Sequence, residues 1–146
     1  MTNEQIIAET AIAAGLYSEE ERSIMNMANI NGANIVKYVI ARDNHNIDAN
    51  ICYDIVKSCN ERYDGRGYPD GIAGEDIPIS AQLVAIADVY DALTNDRCYK
   101  KAFTPDEAYE MITNGQCGTF SAKILKAFEK TRDEFERLAK EVASRA

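Results

Sequence analysis

Proline is the residue whose distribution most constrains the fold of this chain, because a proline inside a helix removes a backbone hydrogen bond and clashes with the preceding turn. The sequence has only three prolines, Pro69, Pro78 and Pro105, and all of them follow the first 68 residues. The apolar residues recur at spacings of three and four, which is the period of an amphipathic helix. We therefore predict an all-α fold, a compact bundle of about six to seven helices.

Local capping signals predict where several helices begin and end. Ser18 followed by Glu21 forms a capping box, in which the two residues exchange hydrogen bonds across the first turn. Thr104 before Pro105 predicts a second helix start, and Gly115 predicts the end of that helix. The remaining predicted elements are a helix from Asn3 to Ala14, a helix break from Asn29 to Gly32, a polar loop from Asp43 to Asn46, a helix from Ile47 to about Arg62, a helix with Pro78 in its first turn, and a final helix from Ser121 to Ala146.

The charge and hydropathy of the chain argue against two classes of partner. The formal net charge is −8, and an acidic surface repels both nucleic acid and anionic membranes. No apolar run approaches the ~20 residues that a membrane span requires, and the N-terminus begins MTNEQ, without the basic start of a signal peptide. The four cysteines form no CxxC pair, so we expect reduced thiols in a cytoplasmic protein.

Two stretches of the sequence are the best candidates for a functional site. Residues 61–71 read ERYDGRGYPDG, and their concentration of glycine with proline predicts a loop. Residues 87–103 read ADVYDALTNDRCYKKAF. There Asp88 and Asp91 lie three residues apart on a predicted helix, where a carboxylate costs free energy unless it is paired or binds a metal. Spacing alone leaves both alternatives open, a metal ligand or a hydrogen bond to a neighbouring loop.

These two stretches resemble the HD-GYP family, whose members are bacterial phosphodiesterases that degrade the second messenger cyclic di-GMP. The resemblance is strong from about Ile55 to Phe120 and weaker from Ser18 to Val36. It implies a single HD-domain-like bundle over residues 1–146, in which helices hold a cluster of iron or similar metal ions through histidine and aspartate ligands. Clustered metals of this kind activate a bridging hydroxide and neutralise the scissile phosphate.

The sequence departs from the family pattern at most of the metal-ligand positions. By this resemblance Cys59 and Asn60 replace a pair of histidines, Ala28 replaces another histidine, and Asp88 is the sole surviving ligand position. The His-Asp signature that names the family is missing or diverged in the N-terminal part. His45 is the only histidine in the chain, and we expect it to lie at the surface of a polar loop. We therefore expect no catalytic residues and no cofactor, with iron or manganese expected only if the chain is an enzyme.

The positions that face the dinucleotide in the family are retained. Arg97 and Lys100 match residues that contact its phosphates, and their spacing of three would point both the same way from a helical turn. Tyr68 matches the tyrosine of the GYP loop, whose ring can stack on a base. The alternatives are a solvated charged turn around Arg97 and a tyrosine that packs on its own domain. For Cys59 the alternatives are a soft-metal site with Asp88 and a small buried thiol.

The family resemblance also implies that the GYP loop is a docking surface for diguanylate cyclase (GGDEF) domains. Exposed aromatic and arginine residues are the usual anchors of an interface. The predicted partner-binding residues are Tyr63, Asp64, Arg66, Gly67, Tyr68 and Pro69. In the final helix, Leu125, Phe128, Phe135, Ala139 and Val142 can form one apolar seam. That seam packs either against its own bundle or in a homodimer.

The leading hypothesis from the sequence is a degenerate HD-GYP domain that acts as a non-catalytic signalling module. It would bind a partner protein, with cyclic di-GMP as a regulatory ligand. The rival hypothesis is a fragment or variant of an active, metal-dependent cyclic di-GMP phosphodiesterase. A third is a structural or regulatory relic within a larger response regulator.

Overall fold

The computed structural model describes residues 18–43, 48–96 and 101–145. Within these ranges the only regular structure is helical, which confirms the all-α prediction. The α-helices are α1 (Glu19–Asp43), α2 (Ala49–Ser58), α3 (Ile79–Thr94), α4 (Pro105–Thr113), α5 (Ala122–Lys130) and α6 (Arg132–Ser144), with a short 3-10 helix (Gly74–Asp76) before α3. None of the helices in this part of the chain is long and apolar enough to cross a membrane.

Two predicted helix starts are confirmed by their hydrogen bonds. Ser18 N donates to Glu21 Oε2 over 2.8 Å, and Glu21 N donates to Ser18 Oγ over 3.2 Å, which completes the capping box of α1. Glu107 N donates to Thr104 Oγ1 at the start of α4. Pro78 lies one residue earlier than predicted, at the N-cap of α3, because its ψ of 137° is extended rather than helical.

The predicted break from Asn29 to Gly32 is wrong, since α1 runs through it without interruption. The reason is a close approach to α2. Asn29 Nδ2 donates to Val56 O over 3.3 Å, and a Cβ on Gly32 would lie 3.2 Å from Val56 Cγ1. Residues that weaken an isolated helix are used here for tight packing between helices.

The predicted single C-terminal helix is also wrong, because it is divided at Thr131 into α5 and α6. Thr131 Oγ1 donates to Ala127 O over 2.8 Å, which closes α5. After the bend Arg132 pairs with Asp106 at 2.8 Å and lies 3.9 Å above the Tyr109 ring. Contacts with α4 therefore set the direction of α6.

The core lies among α3, α4, α5 and α6. Leu93, Val89 and Ile112 are its largest fully buried side chains. The Phe128 and Phe135 rings meet edge to face with centroids 5.0 Å apart, a favourable aromatic geometry. Four of the five seam residues, Leu125, Phe128, Phe135 and Ala139, lie in or against this core, which confirms packing of the seam on its own bundle.

Several predictions fall on residues outside the described ranges: the helix from Asn3 to Ala14, the loop position of His45, and the phosphate-facing residues Arg97 and Lys100. The helix predicted from Ile47 to about Arg62 begins at Ala49 and ends at Ser58. Residues 59 and 60 instead lead into residues 61–71, which form the GYP loop.

Candidate functional site

The positions matched to family metal ligands come from helices α1 and α3 and from the segment that follows α2. Ala28 lies near the middle of α1 and is exposed, whereas Asp88 lies near the middle of α3 and is also exposed. Cys59 and Asn60 directly follow α2, where the chain turns into the GYP loop. Cys59 is half-buried and Asn60 is buried.

Asn60 is engaged in an amide network rather than presented as a ligand. Its Nδ2 donates to Asn29 Oδ1 over 3.3 Å, and Asn29 Nδ2 in turn donates to Val56 O over 3.3 Å. These bonds join the end of α2 to the middle of α1. Buried amides need such partners, so the network gives Asn60 a structural task at a position where the family resemblance places a histidine.

Cys59 lies near enough to Asp88 for the two side chains to interact electrostatically. Burial raises the pKa of its thiol, and the negative charge of Asp88 raises it further. Metal coordination by cysteine requires the thiolate. A metal ion bound by Cys59 would have to displace the thiol proton.

Among the described residues, the side chains at the matched ligand positions do not fit the metal cluster that the family resemblance implies. A cluster of hard or borderline cations needs several imidazole and carboxylate ligands together. Within residues 18–43, 48–96 and 101–145, no three histidine, cysteine, aspartate or glutamate side chains are grouped closely enough to hold a metal ion. Ala28 has no donor atom, and the Asn60 amide is already hydrogen-bonded.

The GYP loop is built around a buried carboxylate. Glu61 is buried, and its Oε1 accepts a hydrogen bond from Asp70 N over 2.7 Å. Burial raises the pKa of the Glu61 carboxyl, although the backbone N–H groups of Asp70, Gly71 and Ile72 oppose the rise. The Glu61 side chain, at the start of the loop, is thus hydrogen-bonded to the backbone at its end.

A second contact fixes the middle of the loop. Tyr68 N donates to Asn60 O over 3.2 Å. A Cβ on Gly67 would clash with the backbone of Asn60 and Arg62 and would lie 2.6 Å from Glu61 Cα. Only glycine allows the two stretches of backbone to approach so closely.

The exposure expected for Tyr68 as an interface anchor is wrong, since only 4% of this residue is accessible. Because the Gly67 backbone packs against residues 60–62, Tyr68 is carried into the domain. The buried Tyr68 ring has no open face on which a base or a partner could stack. The alternative from the sequence, a tyrosine that packs on its own domain, is therefore correct for Tyr68. Gly67 is buried as well, and Pro69 is half-buried.

The outer edge of the loop is braced and carries an accessible arginine. The Arg66 side chain is 88% exposed, while its backbone N donates to Asp64 Oδ1 over 3.0 Å. Asp64 Oδ2 accepts from Thr119 Oγ1 over 3.1 Å. Tyr63 OH donates to Glu75 Oε1 over 3.3 Å. The Arg66 guanidinium is therefore exposed, with its Nε 4.0 Å from Asp64 Oδ2.

Comparison with known proteins identifies the family. The sequence model described as "HD domain" matches residues 5–120 of this chain. The chain belongs to the HD domain family.

Relatives of this HD domain bear out the HD-GYP resemblance. A "Probable cyclic di-GMP phosphodiesterase" from Vibrio cholerae serotype O1 is 39% identical over 94 residues, which is 64% of this chain and 21% of the relative. The "Cyclic di-GMP phosphodiesterase response regulator RpfG" from Xanthomonas campestris pv. campestris is 43% identical over 79 residues, 54% of this chain and 21% of the relative. A "Cyclic di-GMP phosphodiesterase" from Thermotoga maritima is 33% identical over 120 residues, 82% of this chain and 31% of the relative. The chain thus spans a third or less of the length of these proteins.

Three charged residues of the HD domain's loop were not singled out from the sequence. Glu61 and Arg62 are both buried. Arg62 Nη1 donates to Glu61 O over 2.9 Å, and its guanidinium lies 5.7 Å from the Phe120 ring centroid. Asp70 pairs with Lys57 at 3.3 Å, which ties the loop to α2 and raises the pKa of Lys57. For Glu61 and Arg62, the signal that could have found them is a pair of adjacent opposite charges at the start of a glycine-rich loop.

Proposed function

We propose that this HD domain is a non-catalytic signalling module that binds a partner protein through the outer edge of its GYP loop. The observation that carries the proposal is the contrast between loop and ligand positions. The loop is held by backbone and carboxylate contacts at Glu61 and Asn60. The ligand positions instead carry a methyl group at Ala28, a bonded amide at Asn60 and a thiol of raised pKa at Cys59.

The proposed loss of hydrolysis rests on the requirements of metal-assisted phosphodiester cleavage. That chemistry requires clustered cations to activate water and to neutralise phosphate charge. Asp88 alone cannot assemble such a cluster. No step of hydrolysis is therefore assigned to the side chains of this domain.

The proposed docking surface, called the loop rim, consists of Tyr63, Asp64, Arg66 and Pro69. Arg66 is its anchor, because arginine is enriched at the energetic centres of interfaces and can grip a carboxylate bidentately. Gly67 and Tyr68 shape the rim from inside. The partner implied by the HD-GYP resemblance is a diguanylate cyclase (GGDEF) domain.

Cyclic di-GMP is the proposed regulatory ligand, held through its phosphates by Arg97 and Lys100. An arginine and a lysine three residues apart provide a bidentate donor and a point charge for one anion. The buried Tyr68 ring is left out of this proposal. A local pair of cations is needed because the chain as a whole has a formal net charge of −8.

The test is calorimetric titration of the purified chain with cyclic di-GMP, run beside metal analysis and chromatographic detection of product. We expect binding without product and without stoichiometric metal, weakened at least about tenfold in Arg97→Ala, the size of effect that one lost charge-assisted hydrogen bond gives. Lys130→Ala, which removes a positive charge at the exposed end of α5, is the matched control and should bind as wild type. Absence of binding would refute cyclic di-GMP as a ligand and leave partner binding through the loop rim as the only proposed function. Equal affinity of Arg97→Ala and Lys130→Ala for cyclic di-GMP would refute the phosphate site.

The second candidate function is cyclic di-GMP hydrolysis, favoured by the names of the relatives and by retention of Asp88. It predicts stoichiometric iron or manganese in the purified chain and product formation that a chelator abolishes. Product formation that is lost in Asp88→Asn would overturn the non-catalytic proposal.

A further inference from the structure

Helix α1 carries apolar side chains on two opposite sides. The side with Asn29 and Gly32 lies against α2 near Val56. On the opposite side, four large apolar residues are between 54% and 69% exposed: Ile24, Met27, Ile35 and Tyr38. A contiguous exposed apolar patch of this kind marks an interaction surface in a folded protein.

We call this surface the α1 face. It consists of Glu20, Ile24, Met27, Ala28, Asn31, Asn34, Ile35, Tyr38 and Arg42, all of which are exposed. Their spacings of three, four, seven and eleven residues from Asn31 place them on one side of an α-helix. The face is continuous because α1 is not broken between Asn29 and Gly32.

The chemical character of the α1 face is symmetric about Asn31. Four residues away on either side are the large apolar residues Met27 and Ile35, and seven residues away are Ile24 and Tyr38. An isologous interface requires a surface that is complementary to itself under a two-fold rotation. A second α1 laid antiparallel, with its Asn31 opposite this one, would match apolar to apolar along the whole face.

The charges at the two ends of the α1 face select the antiparallel arrangement. The first turn of α1 is acidic, with Glu20 on the face, and the last turn is basic, with Arg42. Arg42 lies 4.8 Å from the centroid of the Tyr38 ring, which keeps its guanidinium at the edge of the apolar patch. Antiparallel pairing brings Glu20 of each copy beside Arg42 of the other, whereas parallel pairing would place like charges together.

Short side chains occupy the centre of the α1 face. Ala28, Asn31 and Asn34 allow two helices to approach at the usual interaxial distance of about 8–10 Å. Two Asn31 amides on a two-fold axis can hydrogen-bond to each other, and a single polar pair of this kind fixes the register of paired helices.

We propose that two copies of this chain form a symmetric dimer through antiparallel pairing of their α1 faces, with the two-fold axis at Asn31. The α1 face includes Ala28, the position at which the family resemblance expects a metal-ligand histidine. The second copy would therefore cover the α1 side of the former metal site. This proposal is independent of the loop rim and of cyclic dinucleotide binding.

Sedimentation velocity of the full chain over a wide range of concentrations tests the dimer. Wild type is expected to dimerise reversibly. Ile35→Asp should weaken association at least about a hundredfold, because the symmetric interface would then bury two unpaired carboxylates, one from each copy. Leu83→Asp is the matched control, since Leu83 is 48% exposed on α3 and should leave association unchanged. Circular dichroism checks that both variants stay helical. A wild-type monomer at every concentration, or a dimer insensitive to Ile35→Asp, would overturn the proposal and mean that the α1 face is covered by something other than a second copy.

Charge exchange and cross-linking test the antiparallel register. Glu20→Arg and Arg42→Glu should each weaken the dimer, and the double variant should recover it because both end pairs are restored with reversed sign. Asn31→Cys should be cross-linked by a short bismaleimide well above the wild-type background. Glu20→Cys should not, because its two copies would lie about 33 Å apart along antiparallel helices. Cross-linking of Glu20→Cys, or a double variant weaker than both single variants, would refute this register.

Discussion

Gly67 lies with its Cα against the backbone that enters the GYP loop, and replacing it with alanine tests whether this packing holds the loop. The added Cβ would clash with Arg62 N and Asn60 O and would lie 2.6 Å from Glu61 Cα. These are main-chain atoms, which cannot move aside as the end of a flexible side chain can. One stretch of backbone would have to shift, and the hydrogen bond from Tyr68 N to Asn60 O would be lost with it.

The expected loss of stability follows from these two effects. Inserting a methyl group into a site that cannot yield costs about 3 kcal/mol, the upper end of the usual range for overpacking. The lost hydrogen bond adds about 1 kcal/mol. We therefore expect Gly67→Ala to lower the free energy of unfolding by about 4 kcal/mol, a large share of the about 5–15 kcal/mol that holds a typical domain together.

The assay is urea denaturation followed by circular dichroism, with Gly32→Ala as the matched control. A Cβ on Gly32 meets only a side-chain atom, Val56 Cγ1, at 3.2 Å, and alanine favours the helix by about 1 kcal/mol. The control should therefore change stability by less than about 1 kcal/mol. Hydrogen exchange at the amides of Tyr68 and Asp70 reports on the loop alone. A Gly67→Ala protein with wild-type stability and wild-type protection of both amides would refute the reasoning.

Three further predictions concern charge and protonation. Arg66→Ala should weaken binding to a GGDEF domain at least about tenfold in biolayer interferometry and should leave stability unchanged. The exposed control Arg145→Ala should change neither binding nor stability. Equal loss of binding in the two variants would show that Arg66 is not the anchor. The folded-state pKa of Glu61 is raised, so the carboxyl favours folding below its ordinary pKa, and this contribution is lost as pH rises through the raised value. The urea concentration at the midpoint of unfolding should thus fall with rising pH more steeply in wild type than in Glu61→Gln. The same pH dependence of the midpoint in both proteins would contradict this. Because the pKa of the Cys59 thiol is raised by burial and by Asp88, its alkylation, followed by peptide mass spectrometry, should be slow at neutral pH and faster in Asp88→Asn; an unchanged rate in that variant would show that Asp88 does not act on the thiol.

The candidate site was only partly predictable from its residues. The motif 61–71 predicted the loop, and the family resemblance implied that Ala28, Cys59, Asn60 and Asp88 occupy metal-ligand positions. The sequence left open whether Tyr68 is exposed or buried, because its burial depends on how closely Gly67 approaches the backbone of Asn60, Glu61 and Arg62. The amide network of Asn60 was missed for a similar reason, since its partner Asn29 lies on a different helix.

The sequence by itself determined the features that depend on neighbours along the chain. The capping box of Ser18 and Glu21, the cap at Thr104 and the helical class all rest on contacts within one turn or on apolar periodicity, so any fold containing these segments would show them. Tertiary structure decided whether α1 continues through Asn29, where Val56 of α2 supplies the partner. It also decided the direction of α6 after Thr131, where Arg132 contacts Asp106 and Tyr109 of α4. Local propensity is worth less than about 1 kcal/mol per residue, and packing against another helix readily outweighs it.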